Sequence, residues 1–326
     1  MKARLEAKTI SRQIILMLIV TALFVVAGCG GKTDSAATPA PQGDATSRVV
    51  KHAMGETEIK GTPQRVVVLT NEGTEALLEL GIKPVGAVKS WTGTPWYEHI
   101  ADKMDGVTEL GGEGQPNIEI IASLKPDLII GNKMRHEKVY EQLKAIAPTV
   151  YSETLRGEWK NNFSLYAEAV NKKEEGAKVI AAFDKRIVDF RTKAGDKVKD
   201  TVSVVRFMGG KTRIYHEETF TGIIFKELGL ARTPKKSTET FAEEVTKERI
   251  PDMDAHRLFY FTYEIGDNKA SKQEELFLND PLWKNLSAVK EGRAYKVNDA
   301  TWNTAGGVMA ANIMLDDLYK IYEIQK

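Results

Sequence analysis

The sequence predicts an α/β protein made of two α/β lobes joined by one long helix. Two observations carry that expectation. Short β-branched runs alternate with helical patterns, as they do where parallel strands are linked by crossover helices, and the alternation occurs in both halves of the chain. A long uninterrupted helical stretch separates the halves. The composition suits this size of fold: of 326 residues, 42% are hydrophobic and 28% charged, enough apolar material for one large or two medium domains.

The first 28 residues read as an export signal and not as part of the fold. Lys2, Arg4, Lys8 and Arg12 make a basic start, and the apolar run from Ile14 to Val26 is shorter than the about 20 residues a bilayer crossing needs. Val26, Ala27, Gly28 and Cys29 then match the lipobox of bacterial lipoproteins, in which cleavage before the cysteine leaves it as a lipid-modified N-terminus. Cys29 is the single cysteine, so the sequence offers no internal disulfide and no cysteine-built zinc site. Two acyl chains there would hold the protein stably on the extracytoplasmic face of the membrane. Residues 29–47, rich in Gly, Thr, Ser, Ala, Pro and Gln, read as a flexible tether.

The first lobe is expected over residues 48–171. Residues 65–69 (RVVVL) form a strand, residues 75–80 a helix stopped by Gly81, residues 84–88 a second strand, and residues 117–130 a helix, turn and buried strand. Residues 172–194 are the linking helix, with Ala177, Ile180, Ala181, Phe183, Ile187, Val188 and Phe190 forming an apolar stripe. At about 1.5 Å per residue such a helix spans roughly 30 Å. The second lobe, residues 195–326, repeats the plan with a strand at 202–206, a hairpin at 209–216, a helix at 222–228 stopped by Gly229, and a strand at 258–261. Aligning NIEIIASLKPDLII with TKERIPDMDAHRLFY sets Glu119 opposite Glu248 and Asp127 opposite Asp254.

Several function classes recede on composition and motif. Lys plus Arg number 46 against 45 Asp plus Glu, and removing the signal takes the net charge from +1 to −2, so the basic excess of a nucleic-acid binder is missing. No G-x-S-x-G elbow, P-loop, dinucleotide-binding glycine fingerprint or H-E-x-x-H helix occurs, and GGEG at 111–114 reads as a loop, so the chain is not expected to be an enzyme. A lipid-anchored structural or adhesion protein would not require basic and aromatic residues at matching strand ends of two lobes.

Taken in order, the lipobox, RVVVLTNEGTEALLELGIKPVGAV, NIEIIASLKPDLIIG, the linking helix and KERIPDMDAHRLFYF resemble the helix-linked substrate-binding lipoproteins of ABC importers for ferric siderophores, haem or cobalamin. The resemblance covers essentially the whole chain after the signal and is strongest to the ferric siderophore binders. It implies a ligand cleft between the lobes, small lobe closure, a monomer, and delivery of the ligand to a membrane permease. By the same resemblance Glu119 and Glu248 are the carboxylates that dock on permease arginines. Haem or cobalamin is the alternative cargo.

In open α/β sheets ligands bind beyond the carboxyl ends of the strands. Trp91, with Trp96 and Tyr97 further on, follows the strand ending at Val88, while Lys133, Arg135 and His136 follow the strand ending at Ile130. Arg206 ends a strand, Arg213 and Tyr215 lie in the hairpin, Tyr263 follows the strand ending at Phe261, and Trp302 follows the segment ending at Val297. Trp91, Arg135, Trp159, Arg206, Arg213, Tyr215, Tyr263 and Trp302 are therefore the expected ligand contacts, and Trp283 in DPLWKNL is assigned to packing. Arginines fork onto anionic oxygens and stay protonated, and tryptophan and tyrosine supply rigid walls. That chemistry suits an anionic ferric chelate of the citrate-hydroxamate or catecholate type. Iron held by its own chelator calls for no cofactor and no metal ligand from the protein; a haem binder would instead use His136 or His216 as an axial ligand.

Overall fold

Runs such as residues 66–68 (VVV) and 128–132 (LIIGN) have no polar face to offer solvent, and both lie wholly buried within a sheet. The computed structural model describes residues 47–155, 157–232 and 241–325; the expected signal, Cys29 and nearly all of the tether lie outside the described residues. The described chain opens with an antiparallel hairpin, β1 (Ser47–His52) and β2 (Gly55–Lys60). In the first lobe β3 (Val66–Val68), β4 (Gly86–Lys89), β5 (Thr108–Gly112), β7 (Leu128–Asn132) and β8 (Thr149–Ser152) are parallel. The short β6 (Gln115–Pro116) pairs antiparallel at one end, giving the order β6-β5-β4-β3-β7-β8. The hairpin covers the other edge: Ala53 N–H donates to the Tyr151 carbonyl and the Thr57 hydroxyl to the Thr149 carbonyl, each at 2.9 Å. Only Val50 and Ile59 of its apolar residues are buried, which is why the sequence pattern did not reveal it.

The second lobe contains β9 (Thr201–Met208), β10 (Lys211–Tyr215), β11 (Ala231–Arg232), β12 (Ala242–Glu244), β13 (Arg257–Thr262) and β14 (Ala294–Lys296). Its order is β12-β10-β9-β13-β14, with β11 beside the start of β9. The central pairs match between lobes: β3 lies parallel to β7, and β9 to β13. Asp127 and Asp254 match as well, since each carboxylate accepts backbone N–H groups from a segment distant in sequence, Gln64 and Arg65 in one lobe and Ser287 and Ala288 in the other. The lobes differ beyond that. Met208 faces Lys211 across the two-residue turn Gly209-Gly210, with Gly210 at φ 72°, so β10 runs antiparallel to its neighbours β9 and β12 and the second sheet is mixed.

The linking helix spans Lys173–Ala194, with Glu174 and Glu175 in its first turn and Arg191 and Lys193 in its last, the charge order its dipole favours. Phe183, Ile187 and Phe190 form its buried stripe. Gly176 permits close approach to the helix Trp159–Ala169, since a Cβ there would stand 2.5 Å from the Cβ of Ala167. The link is reinforced by the C-terminal helix, Val308–Ile321. Arg186 pairs with Asp316 and Asn312, Tyr319 donates to Asp189 at 2.7 Å, and the first-lobe Glu75 carboxylate accepts the Ala310 N–H at 2.9 Å. A Cβ at Gly307 would lie 2.5 Å from that carboxylate, so glycine is needed there.

Candidate functional site

Strand ends of both lobes converge on one cavity of about 380 Å³, inside the about 300–1,000 Å³ common for small-molecule sites. Every parallel strand of the first sheet contributes at its carboxyl end: Glu72 after β3, Trp91 after β4, Glu113 after β5, Arg135 after β7 and Leu155 after β8. From the second lobe come Arg206 at the end of β9, Arg213 and Tyr215 on β10, Tyr263 after β13, and residues 303–306 after β14.

Arg206 is buried and fully engaged. Its guanidinium donates to both carboxylate oxygens of Asp299, at 2.6 and 3.1 Å, and to the Tyr215 hydroxyl at 3.0 Å, and lies 4.6 Å from the centre of the Tyr263 ring. Burial lowers its pKa, but the Asp299 charge and Tyr215 outweigh that and hold it above the ordinary arginine value. Arg206 therefore supports the Tyr215 and Tyr263 walls more than it offers a free charge.

Arg135 and Arg213 are committed more loosely. Arg135 is 41% exposed, 3.4 Å from Glu113 and 5.7 Å from the centre of the Trp91 ring. Arg213 is 34% exposed and 3.5 Å from Glu244. Ion pairs this long contribute little when exposed on both sides, as Arg213–Glu244 is, and Glu113 has other donors besides Arg135, so both guanidinia can exchange partners at small cost. Glu113 is itself buried and anchored by the backbone and side-chain N–H groups of Asn71, at 3.1 and 2.8 Å. The Tyr263 hydroxyl reaches across the cleft to the Trp91 carbonyl at 3.4 Å.

Six of the residues singled out in the sequence, Trp91, Arg135, Arg206, Arg213, Tyr215 and Tyr263, thus line the cavity. Two do not. Trp159 is 1% exposed and packs edge-on against Phe183 at 5.0 Å, joining its helix to the linking helix. Trp302 is 0% exposed, stacks on Phe259 at 5.0 Å and donates its Nε1–H to Asp317 at 3.0 Å. The strand-end rule found the right segment after β14, but the large apolar ring turned into the core and left residues 303–306 on the wall. Trp283 packs among Phe207 and Tyr260, in keeping with a structural role. Glu119 and Glu248 are exposed, each in the first turn of a short helix, Ile118–Ser123 and Lys247–Met253.

Sequence reasoning missed Glu72, Glu113, Phe220 and Phe241 on the wall. The signal was available for the first two, because Glu72 and Glu113 follow strands as closely as Arg135 does; a search for cations and aromatics passes over them. The histidines lose the role a haem would give them. His136 accepts the Asn132 N–H on Nδ1 at 3.1 Å and lies 2.7 Å from the Glu113 carbonyl through Nε2, so backbone groups occupy both ring nitrogens. His216 is buried near Glu243.

Burial, and then the Arg135 charge, lower the His136 pKa below its ordinary value. The unfolded chain, with histidine near about 6.5, binds the proton more readily than the folded one, so stability is full above about pH 6.5 and falls as pH drops through it, by up to about 1.4 kcal/mol per unit. Melting curves of the wild type and His136→Gln between pH 7.5 and 5.5 should show the wild type's advantage shrinking with acidification. A pH-independent difference would contradict this assignment.

The family described as periplasmic binding protein matches residues 66–301 of this chain. The probable siderophore-binding lipoprotein YfiY of Bacillus subtilis (strain 168) is 52% identical over 93% of this chain and 95% of its own length. The Fe(3+)-citrate-binding protein YfmC of the same strain is 30% identical over 94% of this chain and 95% of its own. Among solved structures, Staphylococcus aureus SirA complexed with staphyloferrin B is similar at a TM-score of 0.78 and 37% identity, covering 85% of this chain and 99% of that one.

Proposed function

The chain belongs to the periplasmic binding protein family, and from that premise we propose that it captures an anionic ferric siderophore in its inter-lobe cleft and passes it to the permease of an ABC importer. It is a binding protein and not an enzyme. The observation that supports this cargo is the pair of loosely held guanidinia, Arg135 and Arg213, set among the aromatic walls of Trp91, Tyr215, Phe220, Phe241 and Tyr263. The guanidinia meet chelator oxygens and the rings meet its flat faces. The names of YfiY and YfmC, and the ligand in the SirA structure, point to the same class of cargo. Among the described residues, the cavity wall includes no histidine to serve as a haem ligand.

The export signal and lipobox support secretion and acylation at Cys29, which would leave a monomeric, lipid-anchored protein on the outer face of the membrane. Glu119 and Glu248 then stand ready to meet permease arginines. Charge reversal at both should abolish uptake of radio-iron chelate by cells while leaving ligand affinity unchanged; loss of binding by the purified double variant would sink the docking role. A deletion strain complemented with the wild-type gene should regain uptake of one ferric chelate, and failure with every chelate class would overturn the proposed function.

A further inference from the structure

Glu113 occupies a position where a glutamate ordinarily faces water. Gly112 pairs with Gln115 across the short β5-β6 hairpin, so Glu113 and Gly114 form its turn. The Glu113 side chain is nevertheless only 4% exposed and belongs to the cavity wall. Burying a carboxylate is unfavourable unless it is paired, and several contacts hold this one. The backbone and side-chain N–H groups of Asn71 both donate to Oε2, at 3.1 and 2.8 Å. They do so at the first residue of the helix Asn71–Glu79, where the helix dipole favours negative charge. The turn itself is tied down by His136, whose Nε2 lies 2.7 Å from the Glu113 carbonyl.

The other oxygen, Oε1, stands 3.4 Å from Arg135, the one ion pair of Glu113 among the described residues. Each of the three cavity arginines faces a carboxylate, but the pairs respond differently to an arriving anion. Arg206 is locked bidentate on Asp299 and stays there. Arg213 can leave Glu244, which is 49% exposed to water and keeps Lys211 at 3.3 Å. Arg135 can also turn to an anion, yet Glu113 does not follow it, because the Asn71 bonds hold its carboxylate in place and burial keeps water away. An oxyanion seated on the far side of the Arg135 guanidinium therefore lies on the order of 7 Å from a fixed negative charge.

We propose that Glu113 is a specificity-determining residue that sets how much negative charge the cleft tolerates. It competes with the cargo for Arg135, and then remains beside the bound chelate as a standing charge of the same sign. The penalty grows with the negative charge of the cargo, so the cleft works against strongly anionic complexes while its arginines still require some anionic character. The inference rests on the siderophore reading and narrows it, from an anionic ferric chelate to one of low net charge.

The test is Glu113→Gln, titrated beside the wild type with a ferric tricatecholate, a ferric citrate-hydroxamate and a neutral ferric trihydroxamate, with melting temperatures measured alongside. Both Asn71 bonds end on one oxygen, so the glutamine carbonyl can keep them. Removing a charge about 7 Å away, at an effective dielectric between about 20 and 80, should tighten each anionic chelate by between about threefold and fiftyfold. The neutral complex should gain nothing, whether or not the wild type binds it. A destabilised variant does not bind more tightly, so a lower melting temperature leaves a gain in affinity intact as support. Unchanged or weaker binding of the anionic chelates would overturn the proposal and reduce Glu113 to a support for Arg135. An equal gain for the neutral trihydroxamate would also overturn it, since that result belongs to the new amide donor and not to the lost charge. Wild-type protein that binds none of the three complexes would instead reject the siderophore reading itself, and the charge selectivity with it.

Discussion

Replacing Arg135 and Arg213 together by alanine should weaken binding of the preferred ferric chelate by between about 10²- and 10⁴-fold, while barely moving the melting temperature. The affinity estimate follows from two charge-assisted hydrogen bonds at about 1.5–3 kcal/mol each, where about 1.4 kcal/mol is a factor of ten. The stability estimate follows from what the two side chains do without ligand. Their carboxylate partners stand 3.4 and 3.5 Å away; the Arg213–Glu244 pair is exposed on both sides and contributes about 0–1 kcal/mol, and the buried Glu113 keeps its two Asn71 N–H donors when Arg135 is removed. Each single variant should lose roughly half of the effect on a logarithmic scale, and added salt should weaken wild-type binding more than that of the double variant. Calorimetric titration with parallel thermal melts reads both quantities. Undiminished affinity in the double variant would show that the cleft does not recognise its cargo by charge.

Arg206 should behave in the opposite way. Its pairing with Asp299 is buried, with side-chain exposures of 11% and 4%, and bidentate. Removing one member leaves the other charged and enclosed, at a cost of about 3–5 kcal/mol. Arg206→Met should therefore lower the melting temperature by roughly 6–20 °C. Thr304, whose hydroxyl donates to Asp299 at 3.1 Å, offers the abandoned carboxylate little relief. The double variant Arg206→Met/Asp299→Leu should recover most of the loss, because apolar replacements of a whole buried pair are commonly neutral. It should still bind the chelate poorly, since the guanidinium that positions the Tyr215 hydroxyl and the Tyr263 ring is gone. Equal melting temperatures for the single and double variants would show that the pair is not the unit of stability.

The contrast between these arginines marks what the sequence could and could not disclose. Strand and helix alternation made the two lobes legible because a buried parallel strand, such as residues 128–132, must be apolar throughout. The hairpin that caps β8 was hidden because only Val50 and Ile59 face inward among charged neighbours. The strap formed by Val308–Ile321 was equally hidden, since its polar tie to the first lobe is the Glu75 carboxylate meeting a backbone N–H more than 200 residues away in sequence. At the site, the rule that ligands gather beyond strand ends brought Arg135, Arg206 and Arg213 to one cavity. It could not tell that Arg206 would be locked onto Asp299 from the segment after β14, a pairing made across the sheet. Nor does residue type alone reveal the direction of a ring, which is why Trp91 is on the wall while Trp159 and Trp302 are in the core.

The most direct test of the account is a tryptophan-fluorescence titration of the protein with ferric hydroxamate, ferric citrate-hydroxamate and ferric catecholate complexes, with haem and cobalamin alongside. Trp91, 38% exposed on the cavity wall, is placed to be quenched by a coloured iron complex. Saturable, submicromolar quenching by one ferric chelate, lost in the Arg135 and Arg213 double variant, is the result the account predicts. Tight binding of haem or cobalamin with no response to any ferric chelate would contradict it.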